Sequence, residues 1–220
     1  WHQTNETYGK EKMLQERDRI RDVISEYERK NPSLSRPTEW KFSKKMTSEQ
    51  KVENLVTELF LQTSPILTSM VHNKIGKENL GDVKGRKDGE DTFIGIDAIA
   101  DQLVMDKLNK LADNGLSFMV LSEHSIYKVG TGKIEFILAV DPFDNSNDYM
   151  KGMYTIAPHL VMGAWDKNGK PIACANTNLN SGDLSLSHNE KISRLNCGDE
   201  SLTDLTITEE QKAINFNDSK

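Results

Sequence analysis

The strongest constraint on this chain lies in residues 134–152, where an apolar run, Phe136-Ile137-Leu138-Ala139-Val140, leads directly into Asp141-Pro142-Phe143-Asp144. The run predicts a buried strand. A strand that delivers two carboxylates to one point is unfavourable unless a cation sits there. A third acid, Glu123, follows a second apolar segment, Leu116 to Leu121. If neighbouring strands bring both ends to the same edge, three carboxylates converge. Hard oxygen donors with no His or Cys cluster suit Mg²⁺ better than zinc. Pro142 has no amide hydrogen to donate, so it should break the strand and let the Phe143 carbonyl turn inward as a further ligand. Asn145 and Ser146 then stand at a helix start, where free backbone N–H groups can cradle a phosphate. A metal beside such a cradle implies phosphoryl chemistry. The same residues also fit a plainer reading, since acids beside proline and at helix starts are ordinary turn and cap signals.

Around this corner the chain changes character along its length. Residues 10–30 predict a highly charged helix with a narrow apolar stripe of Met13, Ile20, Ile24 and Tyr27, stopped by Asn31-Pro32. So many charges suggest a solvated appendage or a dimer-contact helix, joined by a linker over 31–46. A second helix should start at Thr47, where Thr47 and Gln50 can form a capping box, and Pro65 should kink it. Lys77 to Asp91 reads as a charged, glycine-containing loop. A third helix is expected from about Asp97 to Asp113, with Asp97 as its N-cap.

After the strand at 116–121, Ser125 to Val129 and Lys133 to Val140 can pair as a hairpin across Gly130-Thr131-Gly132. Tyr154 to Trp165 and Lys170 to Asn176 form another across Asp166-Lys167-Asn168-Gly169. Two short strands follow near 183–187 and 191–195. Helices thus precede a mostly antiparallel meander, which points to an α+β fold with helices packed on one sheet. The expected division is a charged helical extension and linker over 1–46, an α+β domain over 47–205 and a polar tail over 206–220.

Composition removes several alternatives. At 220 residues and 36% hydrophobic content the chain can bury a sizeable core. No apolar run approaches the ~20 residues of a membrane span. A net charge of −6 argues against nucleic acid as a partner. Two cysteines, Cys174 and Cys197, do not make a disulfide framework and suit a reducing, cytoplasmic setting.

At the acidic corner the sequence resembles the inositol monophosphatase and fructose-1,6-bisphosphatase superfamily of metal-dependent, lithium-sensitive phosphatases. The family's Asp-Pro-hydrophobic-Asp-Gly-Thr/Ser is matched by Asp141-Pro142-Phe143-Asp144-Asn145-Ser146, and its glutamate segment by Ser122-Glu123-His124. Its acidic helix start is matched by Ile94-Gly95-Ile96-Asp97-Ala98-Ile99-Ala100-Asp101. The resemblance covers about residues 48–205. Tyr149-Met150-Lys151-Gly152 is similar to a segment of the inositol polyphosphate 1-phosphatase branch, although that branch's long insertion before the Asp-Pro motif is absent.

The resemblance implies that Glu123, Asp141, Asp144 and the Phe143 carbonyl bind two or three Mg²⁺ ions, with Mn²⁺ as a substitute. Asp97 and Ser146 would hold and deprotonate the attacking water, and the Asn145 and Ser146 amides would hold the phosphate of a small phosphorylated substrate. It further implies a homodimer and the N-terminal half of a layered αβαβα sugar-phosphatase fold, the second α/β half being apparently absent. Three departures stand out. Asn145 replaces the family glycine, His124 replaces a second glutamate, and nothing in residues 200–220 supplies the family's later Trp-Asp motif. The chain is therefore expected to be a fragment ending at a domain boundary, or a shortened homologue. The expected function is a Mg²⁺-dependent phosphomonoesterase acting on inositol phosphate or a related sugar phosphate. The alternatives are a catalytically impaired homologue that senses a phosphate ligand, or a phosphatase for fructose 1,6-bisphosphate, inositol polyphosphate or a 3′-phosphonucleotide.

Overall fold

The computed structural model describes residues 17–34, 45–82, 92–112, 116–122, 126–153, 156–188, 191–196 and 203–205. Its helices are α1 (residues 17–30), α2 (Ser48–His72), α3 (Gly95–Ala112) and α4 (Ser146–Lys151), with a 3₁₀ turn at Pro32–Leu34. The capping box at the start of α2 forms as expected: the Thr47 hydroxyl accepts from the Gln50 amide at 3.2 Å and Gln50 Oε1 accepts from the Thr47 amide at 3.0 Å. Pro65 lies inside α2, which continues through it as a single element. None of the described helices is long and apolar enough to cross a membrane.

Helix α1 is not a solvated appendage. Ile20 and Ile24 are 2% and 6% exposed and belong to the same core cluster as α2, α3 and the sheet. Two of the helix's charges pair with α3: Arg21 makes two hydrogen bonds to Asp106, at 2.8 and 3.3 Å, and Lys107 donates to Glu28 at 3.3 Å. The Tyr27 hydroxyl meets Ser69 of α2 at 2.6 Å.

Strands β1 (Asn79–Asp82) and β2 (Thr92–Ile94) pair antiparallel, so the ends of the expected loop over 77–91 are a ribbon; residues 83–91 lie outside the described residues. The main sheet contains β3 (Phe118–Ser122), β4 (Ile126–Val129), β5 (Phe136–Asp144), β6 (His159–Asp166), β7 (Pro171–Asn178), β8 (Leu184–His188), β9 (Lys191–Leu195) and β10 (Thr203–Leu205). Its order is β10-β9-β8-β7-β6-β5-β3-β4. All neighbours are antiparallel except β3 and β5, which run parallel. The fold is therefore α+β, with an eight-stranded, mostly antiparallel sheet.

Alternate residues face the helices. Phe136, Leu138 and Val140 of β5, Leu160, Met162 and Ala164 of β6, and Leu184 and Leu186 of β8 are all buried. Helix α2 packs on β6, β7 and β8, and α3 on β4 and β5. Inside this layer the Ser64 and Thr177 hydroxyls are buried and share a 2.7 Å hydrogen bond, fixing α2 to β7 at the turn of helix that contains Pro65.

The expected hairpin between 125–129 and 133–140 does not form. β4 folds back on β3, with Leu121 opposite Ile126, and β5 pairs with the other edge of β3. The glycines between β4 and β5 serve a close approach instead of a tight turn. Gly130 has φ +83°, and a Cβ there would lie 2.3 Å from the Leu116 carbonyl oxygen. The Gly132 amide donates to Ser117 Oγ at 2.7 Å, and the Glu135 amide to the Ser117 carbonyl at 3.0 Å. The connection is thus folded against the entrance to β3, which carries the chain across that strand.

Candidate active site

The parallel pair brings the ends of β3 and β5 side by side. In register, Ser122 of β3 lies opposite Val140 of β5, and the next residues in the sequence are Glu123 and Asp141. Glu123 itself lies outside the described residues.

Pro142 does not end β5. The register to β6 slips between Asp141, opposite Val161, and Asp144, opposite His159, so Pro142 and Phe143 form a bulge and the strand continues. A bulge suits a residue that cannot donate to the ladder, and it re-aims the side chains on both sides. The Phe143 amide donates to Asp141 Oδ1 at 3.2 Å, closing a short turn around the proline. The Phe143 ring is buried edge-on against Tyr149, with centroids 5.3 Å apart and planes at 67°.

Asn145 follows with φ +65° and ψ 33°, the left-handed geometry that asparagine tolerates better than other side chains. It is the N-cap of α4, yet its side chain makes no cap. The amide turns back instead, 3.0 Å from Asp144 Oδ2 and 3.4 Å from the Ala157 carbonyl. Ser146 is the half-buried first residue of α4.

Asp97 sits differently from expectation. Helix α3 begins at Gly95, so Asp97 lies inside the first turn, and its Oδ2 accepts from the Ile94 amide at 3.0 Å. That is the returning half of a capping box, made by the third helical residue, with Ile94 in the cap position. Asp97 is 5% exposed. One turn later the buried Asp101 accepts from the Ser122 hydroxyl at 2.8 Å, tying α3 to the last residue of β3. The Tyr127 hydroxyl makes no hydrogen bond among the described residues, and burial, then the charge of Asp101, pushes its pKa well above the ordinary phenol range.

Sequence reasoning passed over the segment that joins these parts. The Gly76 carbonyl accepts from the Ile96 amide at 2.8 Å, the Glu78 carbonyl from Gly95 at 2.9 Å, and the Ile75 carbonyl from the Tyr149 hydroxyl at 2.9 Å. Lys77 Nζ stands 4.7 Å from the centre of the Tyr149 ring. Residues 75–78 therefore stitch the first turn of α3 to α4. The available signal was Gly76, a glycine just past the end of α2 where a left-handed residue is common.

Chemically the corner offers carboxylate oxygens, the donor class of hard divalent cations. Asp141 and Asp144 flank one bulge, and β3 ends one residue before Glu123. Among the described residues, however, no three His, Cys, Asp or Glu side chains stand together as a metal site, and Asp97, Asp141 and Asp144 do not form one. A separate cavity of about 510 Å³ lies between the start of α2 and the β6–β7 hairpin, with Glu49, Glu53, Trp165, Lys170 and Cys174 in its wall. It contains none of these acids, and its Lys170 is paired with Glu49 at 3.6 Å.

No protein-family model matches the sequence, and no curated protein does. Solved structures do match the fold. A Leishmania major fructose-1,6-bisphosphatase superposes with a TM-score of 0.51 at 12% identity, over 69% of this chain and 54% of its own. A protein described as a sedoheptulose-1,7-bisphosphatase from Toxoplasma gondii gives 0.50 at 13% identity, over 73% and 58%. The chain spans little more than half the length of either. These matches show that the chain shares the fold of these two structures over about seven tenths of its own length.

Proposed function

We propose that this chain carries the metal-and-phosphate corner of a Mg²⁺-dependent phosphomonoesterase acting on inositol phosphate or a related sugar phosphate. The observation that carries this reading is the parallel β3–β5 pair, which ends in register at Ser122 and Val140 immediately before Glu123 and Asp141. The names of the two matched structures, both sugar bisphosphatases, support the substrate class.

In this reading Glu123, Asp141, Asp144 and the Phe143 carbonyl hold the cations. Bound there, Mg²⁺ would supply charge neutralisation for the phosphate and a lowered pKa for water. Asp97, whose Oδ2 accepts from the Ile94 amide, and the Ser146 hydroxyl would hold and deprotonate the attacking water. The backbone amides of Asn145 and Ser146 hold the phosphate. Asp141→Asn in the complete protein is expected to abolish Mg²⁺-dependent phosphate release from a panel of sugar and inositol phosphates; unchanged turnover would refute the assignment.

A second reading, an impaired homologue that senses a phosphate ligand, is favoured by one specific feature: the Asn145 amide already occupies Asp144. Calorimetry separates the two. Absence of Mg²⁺ binding at millimolar concentration by a folded chain supports the sensor.

A further inference from the structure

We draw no further inference here: the strongest candidate, the uncharged patch that Ile126, Leu121, Ala139 and Gly163 form in register across β4, β3, β5 and β6 on the sheet face turned away from the helices, carries nothing because nothing among the described residues shows what covers it.

Discussion

Gly76 and Gly169 make a matched pair. Both are left-handed, at φ +76° and +82°, but their surroundings differ. A Cβ on Gly76 would sit 2.6 Å from the Ile96 nitrogen and 2.8 Å from Ile96 Cα, both backbone atoms, whereas nothing lies within 4 Å of the same position on Gly169. Gly169→Ala should therefore cost only the conformational penalty, about 1–2 kcal/mol. Gly76→Ala carries that penalty plus a contact that no rotamer change relieves. To reach ordinary contact at 3.4 Å the first turn of α3 must retreat by about 0.8 Å, which stretches the 2.8 Å bond from the Ile96 amide to the Gly76 carbonyl. Overpacking of this kind costs about 1–3 kcal/mol. The expected loss is then about 2–5 kcal/mol for Gly76→Ala against about 1–2 for Gly169→Ala. Urea unfolding followed by tryptophan fluorescence reads both as shifts in midpoint at constant slope. Equal losses for the two variants would show that the Gly76 contact carries no strain, and would remove residues 75–78 as the piece that positions Asp97.

Other outcomes follow from single groups. Tyr127→Phe removes a buried hydroxyl that has no hydrogen-bond partner among the described residues, and should stabilise the fold by about 1 kcal/mol at pH 7. Because burial raises the Tyr127 pKa, the wild-type fold favours the neutral phenol; it should lose stability as pH rises above about 10, and urea midpoints at pH 7 and pH 10.5 should show Tyr127→Phe escaping that loss. Asp166 is held below the usual carboxylate range, first by the Lys170 amide and then by Asn168. Its contribution to the β6–β7 turn is therefore present above about pH 4 and lost as pH falls through the lowered value, which amide chemical shifts of Asn168 and Lys170 should report.

What the sequence made legible was what is local. Thr47 and Gln50 announce the capping box by spacing alone, Asn168-Gly169 marks its hairpin, and an asparagine between Asp144 and Ser146 is compatible with the left-handed residue found there. What it hid was partnership. An apolar period reports which face of an element is buried and says nothing about the neighbour. The pairing of β4 with β3 instead of β5 was therefore invisible, and Gly130-Thr131-Gly132 looked like a turn because glycine serves turns and close approaches equally. Helix α1 misled for the same reason: Arg21 and Glu28 look solvated until Asp106 and Lys107 are brought beside them. Pro142 was a strand breaker only if the ladder had needed its amide, and the bulge removed that need.

The unforeseen pairing also bears on the metal corner proposed above. In a simple meander β4 would lie between β3 and β5, and the ends of the two parallel strands would be two spacings apart, about 9.6 Å. Carboxylates leaving from that distance cannot readily share one small cation whose oxygen ligands stand at about 2.0–2.1 Å. With β3 directly against β5, Ser122 opposite Val140, the separation falls to a single spacing of about 4.8 Å. The fold obtains this by sending the chain back across β3 through residues anchored on Ser117, and by fixing the end of that strand to α3 through Ser122 and Asp101. The bulge at Pro142 then adds Asp144 without starting another strand. If Glu123 and Asp141 share a cation as proposed, the crossover that sets β3 directly against β5 is what permits it, because the two strands then end a single spacing apart.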